Sequence, residues 1–164
     1  MAAIDTGPSI NTVHPHVLEN TVGREALEDL VREITILASM SSVLDGIGIP
    51  CAECKEHFYM LLAEWARLID AEYVENAAVM AADKKRDATA LVDVWGEEGF
   101  KMVLSYVGSG SCSAELLREL IAEITDVLAF SEEASREFKK MASNATCKEL
   151  RGLVVLALMV PPRG

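Results

Sequence analysis

Ser113-Ala114-Glu115-Leu116-Leu117-Arg118-Glu119-Leu120-Ile121-Ala122-Glu123-Ile124-Thr125-Asp126-Val127-Leu128 is the stretch that decides the fold class. Leu116, Leu117, Leu120, Ile121, Ile124, Val127 and Leu128 fall at the i, i+3, i+4, i+7 spacing of one helical face. Ser111 or Ser113 supplies the oxygen that caps the first free N–H groups. On the C-terminal side, Ser131 followed by Glu132 and Glu133 opens a shorter helix carrying Phe138 and Met141. Thr146-Cys147-Lys148-Glu149 has capping-box spacing and predicts a last helix through Leu150, Leu153, Val154, Ala157 and Leu158. Val155, Leu156 and Val160 make that helix apolar almost all round, until Pro161-Pro162 ends it. A helix without a polar face is either central to the core or covered by another subunit.

The same pattern continues toward the N-terminus. Gly108-Ser109-Gly110-Ser111 is a linker. Before it, Arg86 to Val107 predicts a helix with Leu91, Val92, Trp95, Val103, Leu104 and Val107 facing inward. Gly96 and Gly99 each cost about 1 kcal/mol against Ala in a helix, so a bend or split is expected between Trp95 and Gly99. A helix from about Pro50 carries Phe58, Leu61, Leu62, Trp65, Leu68 and Ile69; it either continues to Ala82 or breaks near Asp70. The first helix spans Thr21 to Asp45, with Leu27, Leu30, Val31, Ile34, Leu37, Ala38, Ser41 and Leu44 on one face, and Gly46 and Gly48 stop it. Residues 1–20, with Gly7, Pro8 and Pro15, read as an extended or flexible arm. Residues 21–164 thus predict an all-α single-domain bundle of five to six helices.

Composition agrees. Hydrophobic residues make up 51% of the 164 residues and aromatics 5%, which suits helix-on-helix packing. A net charge of −11 repels polyanions and anionic lipid surfaces, which argues against nucleic-acid and membrane partners. Lys84-Lys85-Arg86, the one basic run, reads as a solvated turn. Residues 1–20 lack a basic and then apolar leader. The longest strongly apolar run, Leu153 to Val160, is far short of the roughly 20 residues that span a bilayer. The expectation is a soluble, intracellular, cytoplasmic protein.

Chemistry concentrates in Ile49-Pro50-Cys51-Ala52-Glu53-Cys54-Lys55-Glu56-His57-Phe58. Cys51 and Cys54, three positions apart at a helix start, are placed for a dithiol exchange pair. The dipole and free N–H groups favour a thiolate at the first cysteine, and the second lies one turn on. Cysteines at this spacing also occur as ordinary core residues. Cys51, Cys54 and His57, with His14, His16, Cys112 or Cys147, supply enough donors for a metal, but on a continuous helix the three rotate away from one another. No metal is therefore expected. Cys112 and Cys147 stand alone in the sequence. No Walker loop, Gly-x-Ser-x-Gly, Rossmann fingerprint or His-Glu-x-x-His occurs.

The segment Pro50-Cys51-x-Glu53-Cys54-x-x-His57-Phe58-x-x-Leu61 resembles the active-site segment of the Erv/ALR family of FAD-dependent sulfhydryl oxidases. That resemblance implies a small helical bundle with FAD as cofactor. Cys54 would lie against the flavin, Cys51 would exchange with an incoming dithiol, and oxygen would be the final acceptor. Arg32-Glu33-Ile34-Thr35-Ile36-Leu37-Ala38 followed by Cys51-x-x-Cys54 is similar to AhpD-like proteins of the carboxymuconolactone decarboxylase superfamily. This second likeness implies an all-helical fold with His57 as proton shuttle. Both imply thiol–disulfide chemistry at Cys51, Cys54 and His57 on a protein thiol substrate. The alternative is a non-catalytic helical protein that binds a protein partner or assembles as a homo-oligomer through an apolar face such as Leu150 to Val160.

Overall fold

The computed structural model describes residues 15–69 and 86–160, with side chains from residue 24 onward. These residues form six α-helices: α1 (Pro15–Gly46), α2 (Ala52–Leu68), α3 (Leu91–Gly108), α4 (Ala114–Val127), α5 (Glu132–Ser143) and α6 (Cys147–Met159). A 3-10 turn, Ala88–Ala90, leads into α3. The fold is the expected all-α single-domain bundle. One core cluster draws on every helix. Within it α1 packs on α2 and α3, while α4 packs on α5 and α6.

Local chemistry explains the boundaries. Ser113 caps α4 by accepting from the Leu116 N–H, and Ser131 caps α5 by accepting from the Ala134 N–H. Leu117, Ile121 and Ile124 on α4 are fully buried. Each such side chain contributes about 1.5–3 kcal/mol of burial. Thr146 and Glu149 close a reciprocal capping box at the start of α6. The split expected in α3 falls at Gly96, whose φ of 75° and ψ of 166° leave the helix. Nothing lies within 4 Å of where a Cβ would stand, so conformation alone requires the glycine. Trp95, expected to face inward, is only partly buried and donates from Nε1 to the Glu123 carboxylate. Phe100, absent from the expected set, is fully buried instead.

Of the two readings of α6, the structure supports the first. Leu150, Leu153, Val154, Val155, Ala157 and Leu158 are buried within the single chain, and α6 contacts α4, α5 and α2. Most of its apolar circumference is used by the core, with Leu156 and Met159 partly buried.

Two boundaries differ from expectation. α1 begins at Pro15, six residues before Thr21, so part of the expected arm is helical. A proline is suited to the first helical position because its missing N–H would have no partner there. The described part of α2 ends at Leu68, capped by Ile69. Its expected continuation to Ala82, the arm to His14, Lys84 and Lys85, and Pro161-Pro162 lie outside the described residues.

Candidate functional site

The dithiol is positioned by the turn between α1 and α2. Gly48 takes φ +79°, its N–H bonds the Asp45 carbonyl at 3.1 Å, and the Ile49 N–H bonds the Leu44 carbonyl at 2.9 Å. This paired Schellman closure needs a left-handed residue, which glycine supplies without strain. The chain then reverses through Pro50, and Cys51 becomes the N-cap of α2 in an extended conformation. Its Sγ accepts from the Cys54 N–H at 3.1 Å. Cys51 and Cys54 are paired, with Cα atoms 5.2 Å apart, inside the usual disulfide span.

The two sulfurs are unequal. Cys51 is partly exposed, whereas Cys54 is buried and its Sγ lies 3.8 Å from Met40 Sδ on α1. When the pair is reduced, the N–H facing Cys51 and the positive end of α2 favour a negative sulfur there.

The helix carrying the pair is held firmly. Phe58, Leu62 and Trp65 are fully buried, and Phe58 packs 5.1 Å edge-on from Tyr59 and 6.3 Å from Phe100. Lys55, next to Cys54, bridges Asp45 at 3.0 Å and Asp87 at 3.1 Å. Asp87 is buried and also caps the 3-10 turn through the Thr89 N–H and hydroxyl. The Ala88 N–H donates to the Tyr59 hydroxyl at 3.0 Å.

Burial lowers the Lys55 pKa, but hydrogen bonds and charge from Asp45 and Asp87 outweigh it, so the ammonium is held above its ordinary value. Burial also raises the Tyr59 phenol well above its ordinary value. Both groups hold their protons more tightly in the folded chain. Their contribution to stability is therefore complete below about pH 10 and is lost as pH rises through the folded values. Stability measured by urea unfolding is expected to fall above that pH, and Tyr59→Phe is expected to make the decline shallower. An unchanged slope in the variant would contradict the assignment.

His57 lies one turn beyond Cys54 and is exposed. Among the described residues, no group of three or more His, Cys, Asp or Glu side chains is placed to hold a metal ion. The chain matches no family model, no curated protein and no solved structure. The site is thus read from its own geometry.

That geometry includes a feature the sequence did not show. Cys112 and Cys147 are brought together at disulfide range, with Cα atoms 6.0 Å apart and a sequence separation of 35. Cys112 precedes the cap of α4 and Cys147 is the first residue of α6, so packing of α4 on α6 brings their starts together. Arg151 Nε reinforces the same end of the bundle by donating to the Val107 carbonyl at 2.9 Å. The sequence signal was the placement of both cysteines at helix starts, but adjacency of those starts is a tertiary property. Joining a loop of this length stabilises by about 2–4 kcal/mol. Replacing both cysteines by serine is expected to cost that much under non-reducing conditions. Equal unfolding midpoints for variant and parent would show that the pair is not joined.

Two concavities lie along α1, and one of them reaches the dithiol helix through Lys55. An open groove of about 320 Å³ is lined by Ile36, Ser39, Met40, Val43 and Leu44 of α1 and by Glu97 of α3. A smaller polar recess of about 160 Å³ includes Ser42, Asp45, Lys55, Arg86, Asp87 and Asp93. Its polar groups largely satisfy one another: Lys55 is bound to both Asp45 and Asp87, Ser42 to Asp93, and Arg86 to the Val127 carbonyl. Among the described residues, no helix is long and apolar enough to cross a membrane.

Proposed function

We propose that the protein is a thiol–disulfide oxidoreductase working through Cys51 and Cys54. The observation that carries this reading is their asymmetry: a partly exposed sulfur facing an N–H at a helix start, bonded to a buried partner one turn on. A substrate thiolate attacks Cys51 Sγ, the Cys51–Cys54 bond breaks, and Cys54 leaves as a thiolate that takes a proton. The substrate's second thiol loses its proton and attacks the substrate sulfur of the mixed disulfide. Cys51 is released as a thiolate, a leaving group favoured by its place at the helix start. The substrate dithiol has then lost two electrons and become a disulfide, and the pair has gained them. A second disulfide, of glutathione or of another protein, reoxidises the pair by the reverse exchange. His57, exposed one turn beyond Cys54, takes the part of solvent-side proton acceptor that the AhpD-like resemblance implies.

Neither of the two concavities described above has a lining suited to FAD. The larger groove is apolar apart from Ser39, and its one charged lining residue is Glu97, which repels a diphosphate. The polar recess is too small for a dinucleotide, since ligand sites span roughly 300–1,000 Å³. The exchange written above passes electrons from thiol to disulfide.

The test is a trapping experiment. Cys54→Ser leaves Cys51 without its resolving partner, so a disulfide-bearing substrate should remain attached to it as a mixed disulfide seen by intact mass. Cys51→Ser should trap nothing. Equal trapping by the two variants would refute the assignment of roles. A second reading, a non-catalytic binding or assembly protein, draws on the exposed side chains of Ile36, Met40, Val43 and Ile47 along α1 and its end.

A further inference from the structure

The apolar residues on the outer side of α1 are unexplained by the core. Ile36, Met40, Val43 and Ile47 recur at helical spacing and are each 46–63% exposed. The stripe is about 16 Å long at the helical rise of about 1.5 Å per residue. Contiguous apolar surface of this kind marks an interaction site more often than a chance arrangement. Its position is specific, because Met40 belongs both to this stripe and to the contact with Cys54 Sγ. Beyond Ile47 the turn continues through exposed Ile49 to Cys51, so apolar side chains lead along the chain to the reactive sulfur.

The charges around it are mostly acidic. Glu97 lines the groove, exposed Glu33 lies one turn before Ile36, and exposed Glu53 and Glu56 flank Cys54 on α2. The cations near them are already held: Lys55 by Asp45 and Asp87, and Arg32, one turn before Ile36, by Asp29. An occupant of the groove therefore buries apolar side chains against α1 while meeting uncompensated carboxylates at its rim. Electrostatic complementarity selects a cationic partner.

Resting on the exchange reading above, we propose that the groove along α1 docks the substrate, a cysteine-bearing protein segment combining large apolar residues with lysine or arginine. The apolar residues seat on Ile36, Met40 and Val43, and the basic ones face Glu97 and the acidic start of α2. Docking then delivers the segment's thiol to Cys51.

The test measures reduction of the oxidised protein by three synthetic peptides, each with one cysteine, and by glutathione. One peptide is apolar and basic, one carries Glu in place of Lys, and one carries Ser in place of its apolar residues. Each peptide rate is divided by the glutathione rate of the same protein. The apolar, basic peptide is expected to give a ratio about tenfold or more above the other two, falling with salt. In Ile36→Ser/Val43→Ser the advantage should collapse, and in Glu97→Lys the preference for Lys over Glu should shrink. Equal ratios for all peptides, or an advantage that survives the double variant, would overturn the docking proposal while leaving exchange at Cys51 intact. Failure of glutathione itself to react would overturn the exchange reading and the docking proposal with it. Elution of the protein as a dimer that the double variant converts to a monomer would assign the stripe to a second copy and overturn the proposal.

Discussion

Phe58→Ala is expected to lower the free energy of unfolding by about 3–5 kcal/mol, the largest stability change of any variant considered. The ring is fully buried, stacks near Tyr59 and Phe100, and ties the dithiol helix to α3. Truncation removes its transfer free energy and leaves a cavity whose walls are helices, which cannot collapse without moving the bundle. Against a typical total of about 5–15 kcal/mol, the variant stands near the limit of folding. Phe58→Leu keeps most of the volume and should lose much less. Urea midpoints of the three proteins check this. A loss below about 1 kcal/mol in the alanine variant would show that the ring is not part of the packed core.

Cys51→Ser is expected to abolish oxidation of a dithiol substrate while leaving the unfolding midpoint of the reduced protein almost unchanged. The nucleophile is the thiolate, and a hydroxyl at the same N-cap position cannot replace it in exchange. It can replace it as a cap, because serine oxygen accepts from the N–H groups that begin a helix. The variant thus separates chemistry from structure. Serine at Cys112 and Cys147 should do the reverse, costing stability and sparing exchange. If Cys51→Ser retained turnover and the Cys112/Cys147 variant lost it, the reactive pair would be the second one.

What the sequence disclosed was set by local interactions. The Thr146 and Glu149 capping box, Ser113 and Ser131 as caps, the Gly96 split and the helix start at Cys51 depend on residues within one or two turns. Each could be read from spacing and residue type. The placement of Cys51 at a helix start came with them, which is why the candidate site was legible. Features that join distant segments were not. The salt bridges from Lys55 to Asp45 and Asp87, the pairing of Cys112 with Cys147 and the burial of α6 by three neighbours all depend on which helices lie side by side. The apolar stripe on the outer side of α1 was hidden for a related reason. Leu30, Ile34 and Ala38 already accounted for a core-facing side, and Ile36, Met40 and Val43 on the same helix drew no separate explanation. Only the packed bundle shows that they stay exposed.

The central claim is that Cys51 and Cys54 exchange reversibly within the folded protein. The most direct measurement is an equilibrium titration of the native Cys112→Ser/Cys147→Ser variant across glutathione buffers of graded ratio, followed by alkylation and intact mass. The expected result is a single transition between no alkylated thiols and two, with the helical circular dichroism unchanged throughout. A pair that resists both reduction and alkylation until the protein is unfolded would contradict the claim and mark Cys51 and Cys54 as structural.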